Sequence, residues 1–299
     1  MQLIIFGGGR WAHEICVEAS KLSFLKKIIL ITNNYNFKKG DYNKKIILLK
    51  NFSKEIIDKK TKIVIANKSE KHVSILKKIS HFKNHILIEK PLFTKLKDLK
   101  YIVSKKNIFF SRIWSFDKYL SSFANLVQNH HIEKISIYWY DPLKEKRFDQ
   151  IKKHNLNFKY SLDIFSHLLN LIEIITKQRI KKIDEFLVKK NNKNESIFSF
   201  NFNEIRCNFV ISRIKKKRKR YIKLVDLKKN IHALDFSSNT KILKPKKIKN
   251  IISYNYKNSK NLKKMIKYFL LETNVKKLDI NYGIEYLRLY VKKRLSFII

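Results

Sequence analysis

The chain has 299 residues, and 67 Lys and Arg against 24 Asp and Glu give it a formal net charge of +43 at pH 7. Its length favours two domains with sizeable hydrophobic cores. A hydrophobic content of 44% and an aromatic content of 13% exclude a disordered polycation. No run approaches the ~18 consecutive apolar residues that a membrane helix needs, so we expect no membrane partner.

The ends of the sequence and its cysteines indicate the compartment. A strand-like run begins at Gln2 and leaves no room for a signal peptide. Cys16 and Cys207 are far apart in sequence and lack metal or redox spacing. We therefore expect a cytoplasmic protein with neither a disulfide framework nor a zinc module.

The excess charge is spread along the whole chain and indicates a lysine-rich composition at exposed positions. We therefore expect no nucleic-acid partner, although an anion or nucleic-acid contact stays an alternative for the densest basic run, residues 215–220. This run lies between two strand-like segments and predicts a solvated hairpin turn.

The first predicted elements carry the clearest motif. Residues 3–6 form a short apolar run typical of a buried parallel strand, and residues 11–22 have helical apolar spacing. Between them, Gly7, Gly9 and Ala12 form a G-x-G-x-x-A pattern in a chain with only five glycines. The first glycine permits a tight turn, the second a close approach to a pyrophosphate, and the alanine close packing of helix on strand. The pattern predicts a dinucleotide-binding turn at a helix N-terminus.

The second predicted strand, residues 28–31, bears on the choice of dinucleotide. An acidic residue usually closes this strand in NAD-specific proteins. Here Thr32, Asn33 and Asn34 follow it, and two lysines come soon after. Because a carboxylate is missing and cations are near, we expect NADP(H) to be preferred, with NAD(H) as the alternative.

Four further apolar runs, separated by helix-like segments, predict a doubly wound parallel sheet, in which ligands bind at the carboxyl ends of the strands. The motif glycines, Thr32, Asn67 and Lys90 all lie at such ends, so we expect them to converge on one crevice. Asn67 is also the expected N-cap of the following helix. The runs are residues 45–49, 63–66, 86–88 and 108–110.

After about residue 115 the pattern changes to that of an α+β domain. Residues 116–129 and 160–175 predict helices, and consecutive strand-like runs predict a mostly antiparallel sheet. We expect a dinucleotide-binding domain over residues 1–115 and a substrate-binding and oligomerisation domain over residues 116–299, whose closing helices can pack back on the first domain. The predicted strands are residues 135–140, 186–189, 197–202, 205–211, 221–227 and 231–236, and the closing helices are residues 265–271 and 282–295.

The predicted helix over residues 160–175 carries the polar pair from which chemistry is expected. Asp163 and His167 lie four residues apart and share one face. A carboxylate one helical turn from an imidazole can orient the ring and raise its proton affinity, as a general acid and base requires. The same spacing also occurs as an ordinary hydrogen bond on a helix, so spacing alone leaves both interpretations open.

Several motifs together resemble the glucose-fructose oxidoreductase and inositol dehydrogenase (Gfo/Idh/MocA) family over nearly the whole chain. Its glycine motif appears as residues 7–12, and a histidine soon after the fourth strand appears as His72. Its E-K-P signature, the most specific element, appears as Glu89, Lys90 and Pro91.

The family's D-x-x-x-H-x-x-D helix is present with one change, because Asn170 replaces its second aspartate. The resemblance implies hydride transfer between a nicotinamide cofactor and a substrate carbon. Lys90 would lie near the nicotinamide and polarise the reacting hydroxyl, His167 would take or give the proton, and Asp163 would orient the site. It also implies a Rossmann-type first domain and a cis X-Pro bond in the signature.

The resemblance further implies the surroundings of the reaction. Arg112 and Trp114, which follow the run at 108–110, and Asn170 are candidate substrate contacts, and no metal is expected. A homodimer or homotetramer is expected because the family's antiparallel sheet often packs against another subunit. Cofactor contacts are expected for Gly7, Gly9, Arg10, Trp11, Ala12, Thr32, Asn33, Asn34, Asn67, His72, Glu89, Lys90 and Pro91.

The leading hypothesis is an oxidoreductase acting on a sugar, nucleotide-sugar or polyol-like small molecule. Reduction of an imine or conjugated double bond on the same fold is the first alternative. A non-catalytic cofactor-binding homologue is another, because the glycine-rich approach to the helix of Asp163 and His167 is replaced by residues 158–161. The hypothesis that the protein binds nucleic acid is the least favoured.

Overall fold

The computed structural model divides into two compact units. The first combines Met1–Phe116 with Lys260–Leu287, and the second combines Asp117–Ser259 with Arg288–Ile299. The structure describes residues 1–33, 44–103, 105–144, 146–147, 150–151, 159–237, 260–272 and 274–292.

The first unit is built on a six-stranded parallel sheet, as the sequence predicted. Its strand order is β3-β2-β1-β4-β5-β6, so the order reverses between β1 and β4. The strands are apolar on both faces because helices cover such sheets on both sides, and Leu3, Ile4 and Ile5 are completely buried. The strands are β1 Gln2–Phe6, β2 Lys27–Ile31, β3 Ile46–Leu49, β4 Lys62–Ile65, β5 Ile86–Ile88 and β6 Ile108–Phe110.

Two helices follow strands of this sheet. Helix α1 spans Arg10–Ser20 and buries residues at helical spacing, and helix α2 spans His72–Ile79. The buried face of α1 consists of Ala12, Ile15, Cys16 and Ala19, which join the core with β1 and β2.

The prediction that Asn67 caps the helix after β4 is wrong. A short 3-10 helix, Ser69–Lys71, precedes α2, whose N-cap is Lys71 without a side-chain hydrogen bond. The backbone carbonyl of Asn67 contacts Nε2 of His72 at 3.1 Å instead. The added turn therefore moves the helix start several residues beyond the predicted cap.

The second unit begins with helix α3, Lys118–Val127. The carboxylate of Asp117 accepts hydrogen bonds from the backbone N–H groups of Tyr119 and Leu120 at 2.9 and 3.1 Å. This is a well-formed N-cap, and it marks the point where the chain leaves the first unit.

A second six-stranded sheet forms the body of this unit, with the order β10-β11-β12-β7-β13-β14. Every neighbouring pair is antiparallel except β7 and β12, which are parallel, so the predicted mostly antiparallel sheet is confirmed. The strands of the unit, including a separate two-stranded hairpin of β8 and β9, are β7 Ile132–Tyr140, β8 Lys146–Arg147, β9 Gln150–Ile151, β10 Asp184–Asn191, β11 Glu195–Phe202, β12 Ile205–Ser212, β13 Lys219–Asp226 and β14 Ile231–Asp235.

The basic run at residues 215–220 does not form the hairpin turn that was predicted. Strands β12 and β13 are not neighbours, since both pair with β7, so the connection between them crosses β7. Lys219 and Arg220 already belong to β13, and Arg220 occupies an inward position that leaves it 5% exposed. The run is therefore only partly solvated.

Helix α4, Tyr160–Thr176, packs against α3 and against β11 and β12. Twelve of its seventeen residues are buried, which makes it a core helix with one short polar stripe.

Two helices close the described chain, α5 Asn261–Leu271 and α6 Ile280–Lys292. Met265, Ile266 and Phe269 of α5 join the core formed by α1 and β1. A Cβ at Gly283 of α6 would lie 2.8 Å from Cγ of Phe110, so the close approach of α6 to β6 requires glycine there. Among the helices that the structure describes, none has both the length and the hydropathy needed to cross a membrane.

Candidate functional site

The turn between β1 and α1 requires glycine at position 7. The backbone N–H of Gly7 donates to the carbonyl of Ile31 at 3.1 Å. A Cβ at this position would lie 2.9 Å from Cβ of Ala12 and 2.9 Å from the carbonyl carbon and oxygen of Ala66, and φ is +156°. The strand end and the helix therefore approach each other more closely than any side chain allows.

Gly9 has the opposite surroundings. Apart from atoms of its own stretch of backbone and its chain neighbours, no atom lies within 4 Å of the point where its Cβ would be. Gly9 is the N-cap of α1, which has no side-chain cap and no acidic residue in its first turn. The guanidinium of Arg10 pairs with Glu14 at 2.7 Å. A helix N-terminus that is open, free of carboxylates in its first turn and preceded by glycine can admit the phosphate of a ligand.

Glu89 directly follows β5 and is 4% exposed. In the sheet, β4 separates β5 from β1, the strand that leads into this turn. Burial raises the pKa of its carboxyl, while the side chains of Trp11 and Ser111 and the charge of Lys90 oppose the rise. Oε2 accepts from the backbone N–H of Lys90 at 3.3 Å, whereas Oε1 and the indole nitrogen of Trp11 are buried without a hydrogen bond of good geometry. The Lys90–Pro91 peptide bond is cis, as predicted.

The ring of His72 contacts two backbone carbonyl groups, and its role as a cofactor contact stays a prediction. It is completely buried, with Nδ1 2.9 Å from the carbonyl oxygen of Leu92 and Nε2 3.1 Å from that of Asn67. Burial lowers the pKa of His72, and the two carbonyl contacts oppose this effect. The ring therefore joins the loop after β4 to the segment after Pro91.

Asn67 keeps one polar atom available. Its Oδ1 is buried and has no hydrogen-bond partner, although it lies just beyond the carboxyl end of β4. A buried acceptor without a donor costs free energy unless a ligand or water supplies one. Asn67 is therefore a candidate ligand contact on geometric as well as sequence grounds.

The end of β2 has no carboxylate among the described residues. Thr32 is buried and its backbone N–H donates to the carbonyl of Leu49 at 2.9 Å, and Asn33 is exposed. This pairing places Lys50, which follows β3, beside Thr32 at the same sheet edge. Lys50 was not predicted from the sequence, because only the pairing of β2 with β3 brings it near the end of β2. Asn34 and the two lysines that favoured NADP(H) lie outside the described residues.

Arg112 packs against two tyrosines within the first unit, and its substrate contact stays a prediction. Its guanidinium carbon lies 3.4 Å from the ring centroid of Tyr282, and Nη2 donates to the hydroxyl of Tyr286 at 3.2 Å. Both tyrosines belong to α6, so Arg112 fastens that helix to the end of β6. Trp114 is half-buried in a 3-10 helix, Ile113–Phe116, and its substrate contact stays a prediction.

In the second unit, a polar stripe interrupts the apolar surface of α4. Asp163, Ser166 and His167 are half-buried and share one side of the helix, and Asn170 continues the stripe but is buried. Oγ of Ser166 is buried without a hydrogen-bond partner. Ser166 was missed in the sequence, although its spacing from Asp163 and Asn170 places it on the same face.

The ring of His167 lies against Trp139 of β7. The two ring centroids are 5.5 Å apart and their planes are inclined by 24°. The guanidinium of Arg220 lies 3.8 Å from the ring centroid of Trp139. Stacking of this kind fixes the plane of an aromatic ring.

Arg220 also pairs with a buried carboxylate. Its Nη2 donates to Asp141 at 2.5 Å and its Nη1 donates to the carbonyl of Tyr140 at 2.6 Å. The hydroxyl of Tyr160 donates to the other oxygen of Asp141, and Arg218 lies 3.2 Å from this carboxylate. Burial and the charge of Asp141 raise the pKa of Tyr160 well above its usual range, and Arg220 opposes the rise. Tyr160 begins α4, so this network holds the start of the helix that carries His167.

Comparison with known proteins identifies the fold. No protein-family model matches the sequence, and no curated protein matches it. Among solved structures, a myo-inositol dehydrogenase from Corynebacterium glutamicum superposes with a TM-score of 0.71 at 14% identity, over 99% of this chain and 96% of that chain. A UDP-N-acetylglucosamine 3-dehydrogenase from Acidithiobacillus ferrooxidans gives 0.69 at 13% identity, over 99% and 97%.

A scyllo-inositol dehydrogenase from Lactobacillus casei gives a TM-score of 0.70 at 14% identity, over 99% of this chain and 96% of that chain. At such identities the likeness shows a shared fold. The chain therefore has the two-unit α/β fold of sugar and polyol dehydrogenases, and the resemblance read from its motifs is confirmed at the level of the fold.

Proposed function

We propose that this protein is an oxidoreductase that transfers a hydride between a nicotinamide dinucleotide and a sugar, nucleotide-sugar or polyol-like substrate. The observation that carries the proposal is the turn at Gly7 and Gly9. It is too close-packed for a side chain at the first glycine and open at the second. This combination suits a pyrophosphate at the N-terminus of α1.

The residues present fit a dinucleotide. The open space at Gly9 would take the pyrophosphate, and the buried Oδ1 of Asn67 would accept a hydrogen bond from a bound cofactor. The E-K-P segment at the end of β5 would hold the nicotinamide end of the cofactor. When bound, the nicotinamide supplies the acceptor or donor of the hydride.

Three side chains of this protein manage the charge that moves on the substrate. When a substrate hydroxyl becomes a carbonyl, its carbon loses a hydride and its oxygen loses a proton. A ring nitrogen of His167 takes that proton, and Asp163 stabilises the charged ring one turn away on α4. The ammonium of Lys90 polarises the same oxygen.

NADP(H) is the proposed cofactor over NAD(H). A 2′-phosphate would be repelled by a carboxylate at the end of β2, and the described residues there are Thr32 and Asn33. Lys50 adds a cation at the same sheet edge, because β2 and β3 are paired. Thr32, Asn33 and Lys50 therefore support a preference for NADP(H) independently of the two lysines that follow Asn34 in the sequence.

The substrate class is proposed from the polar stripe on α4 together with the fold. Asp163, Ser166, His167 and Asn170 offer several donors and acceptors along one side of a helix. A substrate with several hydroxyl groups can engage such a row. The fold is shared with dehydrogenases named for inositols and for UDP-N-acetylglucosamine.

The test separates cofactor binding from turnover. We expect Lys90→Met and His167→Asn to fold and to bind NADPH about as tightly as the parent chain. With a panel of inositols, sugars and UDP-sugars, we expect each to lose at least about 100-fold in kcat, as removal of a proton-transferring group requires.

Matched controls are Lys97→Met and His81→Asn, which change the same residue types at exposed positions outside the proposed site. These should turn over like the parent. Full activity of Lys90→Met and His167→Asn would refute the assignment of the proton. Cofactor binding without turnover of any substrate by the parent chain would favour a non-catalytic homologue.

A further inference from the structure

A second cluster of chemically capable side chains lies outside the proposed site. His130 follows α3, Asp226 ends β13 and His232 lies on β14. One ligand atom from each comes within 4.8 Å of the other two. Nδ1 of His130 and Nε2 of His232 lie 3.1 and 3.2 Å from the same oxygen of Asp226, Oδ2. The proposed hydride transfer uses none of these groups.

The backbone is shaped to bring the carboxylate to this point. The pairing of β13 with β7 shifts register between Val225 and Asp226, and such a bulge redirects a side chain. The turn that follows is closed by backbone hydrogen bonds from Lys229 to Asp226 and from Asp226 to Asn230, at 2.9 and 3.1 Å. Leu227 also donates to the carbonyl of His131, which ties the turn to the segment carrying His130.

Asn230 also holds the carboxylate in place through both of its oxygens. Its backbone N–H donates to Oδ1 of Asp226 at 2.8 Å, and its side-chain amide donates to Oδ2 at 3.0 Å. Burial alone would raise the pKa of Asp226, but hydrogen bonds from Asn230 and His232 outweigh it and hold the pKa well below its usual range. The carboxylate is therefore charged and held in a fixed orientation. Metal-binding side chains are commonly oriented in this way by hydrogen bonds from residues that do not bind the metal themselves.

We propose that His130, Asp226 and His232 bind one divalent transition-metal ion of the zinc type. Two imidazoles and one carboxylate are a ligand set that suits zinc, cobalt or nickel and does not suit magnesium or calcium. In a tetrahedral site with bonds of about 2.0–2.1 Å, ligand atoms lie about 3.3 Å apart. The two distances to Oδ2 already match this spacing, and the two imidazole nitrogens lie within 4.8 Å of each other.

The exposure of the cluster leaves room for an ion to enter. The side chain of His130 is 33% exposed, whereas those of Asp226 and His232 are 4% and 5% exposed. Two ligands are thus fixed by burial and the third lies at the surface. The fourth coordination position is left for water.

The net positive charge of the chain opposes the binding of a cation, but this long-range repulsion does not prevent coordination by the three side chains. Beside the cluster, the Lys229 ammonium is paired with Glu133 at 2.5 Å. At physiological ionic strength, more distant lysines are screened over about 8 Å. Bond formation to two imidazoles and a carboxylate acts at much shorter range.

The test uses the full chain after treatment with a chelator and titrates it with Co²⁺ alone. We expect saturable visible absorption of a tetrahedral Co²⁺ centre at one ion per chain, which Zn²⁺ displaces. Acidification should release the ion, because imidazole ligands must be neutral to bind a metal. Neither measurement requires substrate, nicotinamide cofactor or activity, so the result stands apart from the proposed function.

Variants at neighbouring histidines make the test specific. His130→Ala removes a ligand at a partly exposed position and should weaken Co²⁺ binding at least about tenfold, as even the loss of a second-sphere partner does. His131→Ala changes the adjacent, exposed histidine and should bind as the parent does. Asp226→Asn keeps the shape of the side chain but removes its charge, and should also lose the tetrahedral spectrum.

Two results would overturn the proposal. One is the absence of saturable binding to a correctly folded parent chain, which would leave the cluster as a hydrogen-bonded triad. The other is equal binding by the parent, His130→Ala and His131→Ala, which would place the ion elsewhere. Circular dichroism and the melting temperature of metal-free His130→Ala show whether a loss of binding reflects a loss of fold.

Discussion

Glu89 shows how a single buried side chain carries a cost that depends on pH. Its carboxyl is almost completely buried, its pKa is raised by burial, and Oε1 has no hydrogen bond of good geometry. A carboxylic acid with a raised pKa in the folded state is more easily accommodated when protonated. At a pH above the pKa that Glu89 has in the unfolded chain, the folded protein must therefore either keep this carboxyl protonated or bury its negative charge.

The sign of the effect follows from proton binding. Between the pKa of Glu89 in the unfolded chain and its higher value in the folded chain, the folded state binds more protons. Its stabilising contribution is therefore complete below about pH 4.3, the ordinary value for glutamate, and is lost as the pH rises through the folded pKa.

We predict that Glu89→Gln becomes progressively more stable relative to the parent chain as the pH is raised from about 4 to 8, because glutamine never acquires the charge. Urea unfolding of the cofactor-free protein at several pH values measures this difference. The exposed Glu55→Gln is the control and should show no such trend. A constant difference across this range would mean that Glu89 does not titrate with a raised pKa.

Helices and strands were predictable where the pattern that defines them is local. Apolar runs located all six strands of the parallel sheet to within about two residues, because strands buried on both faces are continuously hydrophobic. The conformation of Gly7 and the placement of Asp163 and His167 on α4 followed equally from short-range spacing.

Pairings between distant segments were not predictable in this way. The parallel pairing of β7 with β12 turns the connection before β13 from a hairpin into a crossover. The partner of Arg220 is Asp141, 79 residues away, and the alternation of β13 gave no sign that an arginine occupies an inward position. Lys50 and the cluster of His130, Asp226 and His232 were missed for the same reason.

The network at the start of α4 gives a prediction at this scale. Replacing Arg220 with methionine removes its ion pair with Asp141 and leaves this buried carboxylate beside Tyr160 and Arg218. Loss of one partner of a buried ion pair typically costs about 3–5 kcal/mol. We expect Arg220→Met to lower the free energy of unfolding by about this amount, as measured by urea denaturation.

Lys216→Met is the matched control, because Lys216 belongs to the same basic run but is exposed. Its effect should stay within about 0.5 kcal/mol, as for most surface substitutions. If the two variants proved equally stable, the ion pair of Arg220 with Asp141 would contribute nothing that the solvated lysines do not.

For the whole molecule, the net charge of +43 sets how any anionic ligand is found and how selectively it is held. A field of this sign speeds the capture of phosphorylated ligands at low salt, but it does not distinguish one polyanion from another. The dinucleotide site must therefore be separated experimentally from general attraction to the surface.

We expect one NADPH to bind per chain, to bind more tightly than NADH, and to stay bound when polyphosphate is added at moderate salt. Nicotinamide fluorescence follows the titration. Contacts with the turn at Gly9 and with Asn67 are short-range and survive screening, whereas general polyanion binding falls steeply with salt. Displacement of both dinucleotides by polyphosphate would assign the binding to surface charge, and tighter binding of NADH would reverse the proposed cofactor preference.

The first unit is assembled from two separate stretches of chain, and this has a consequence during synthesis on the ribosome. Residues 1–116 emerge before all of residues 117–259, and only then does α5 appear and pack against α1. Until that moment, the core formed by α1, β1 and β2 lacks the apolar side chains of Met265, Ile266 and Phe269. A chaperone that recognises exposed apolar helices would find its target in that interval, and the lysines scattered through the early segment would help to keep the unfinished chain apart from its neighbours.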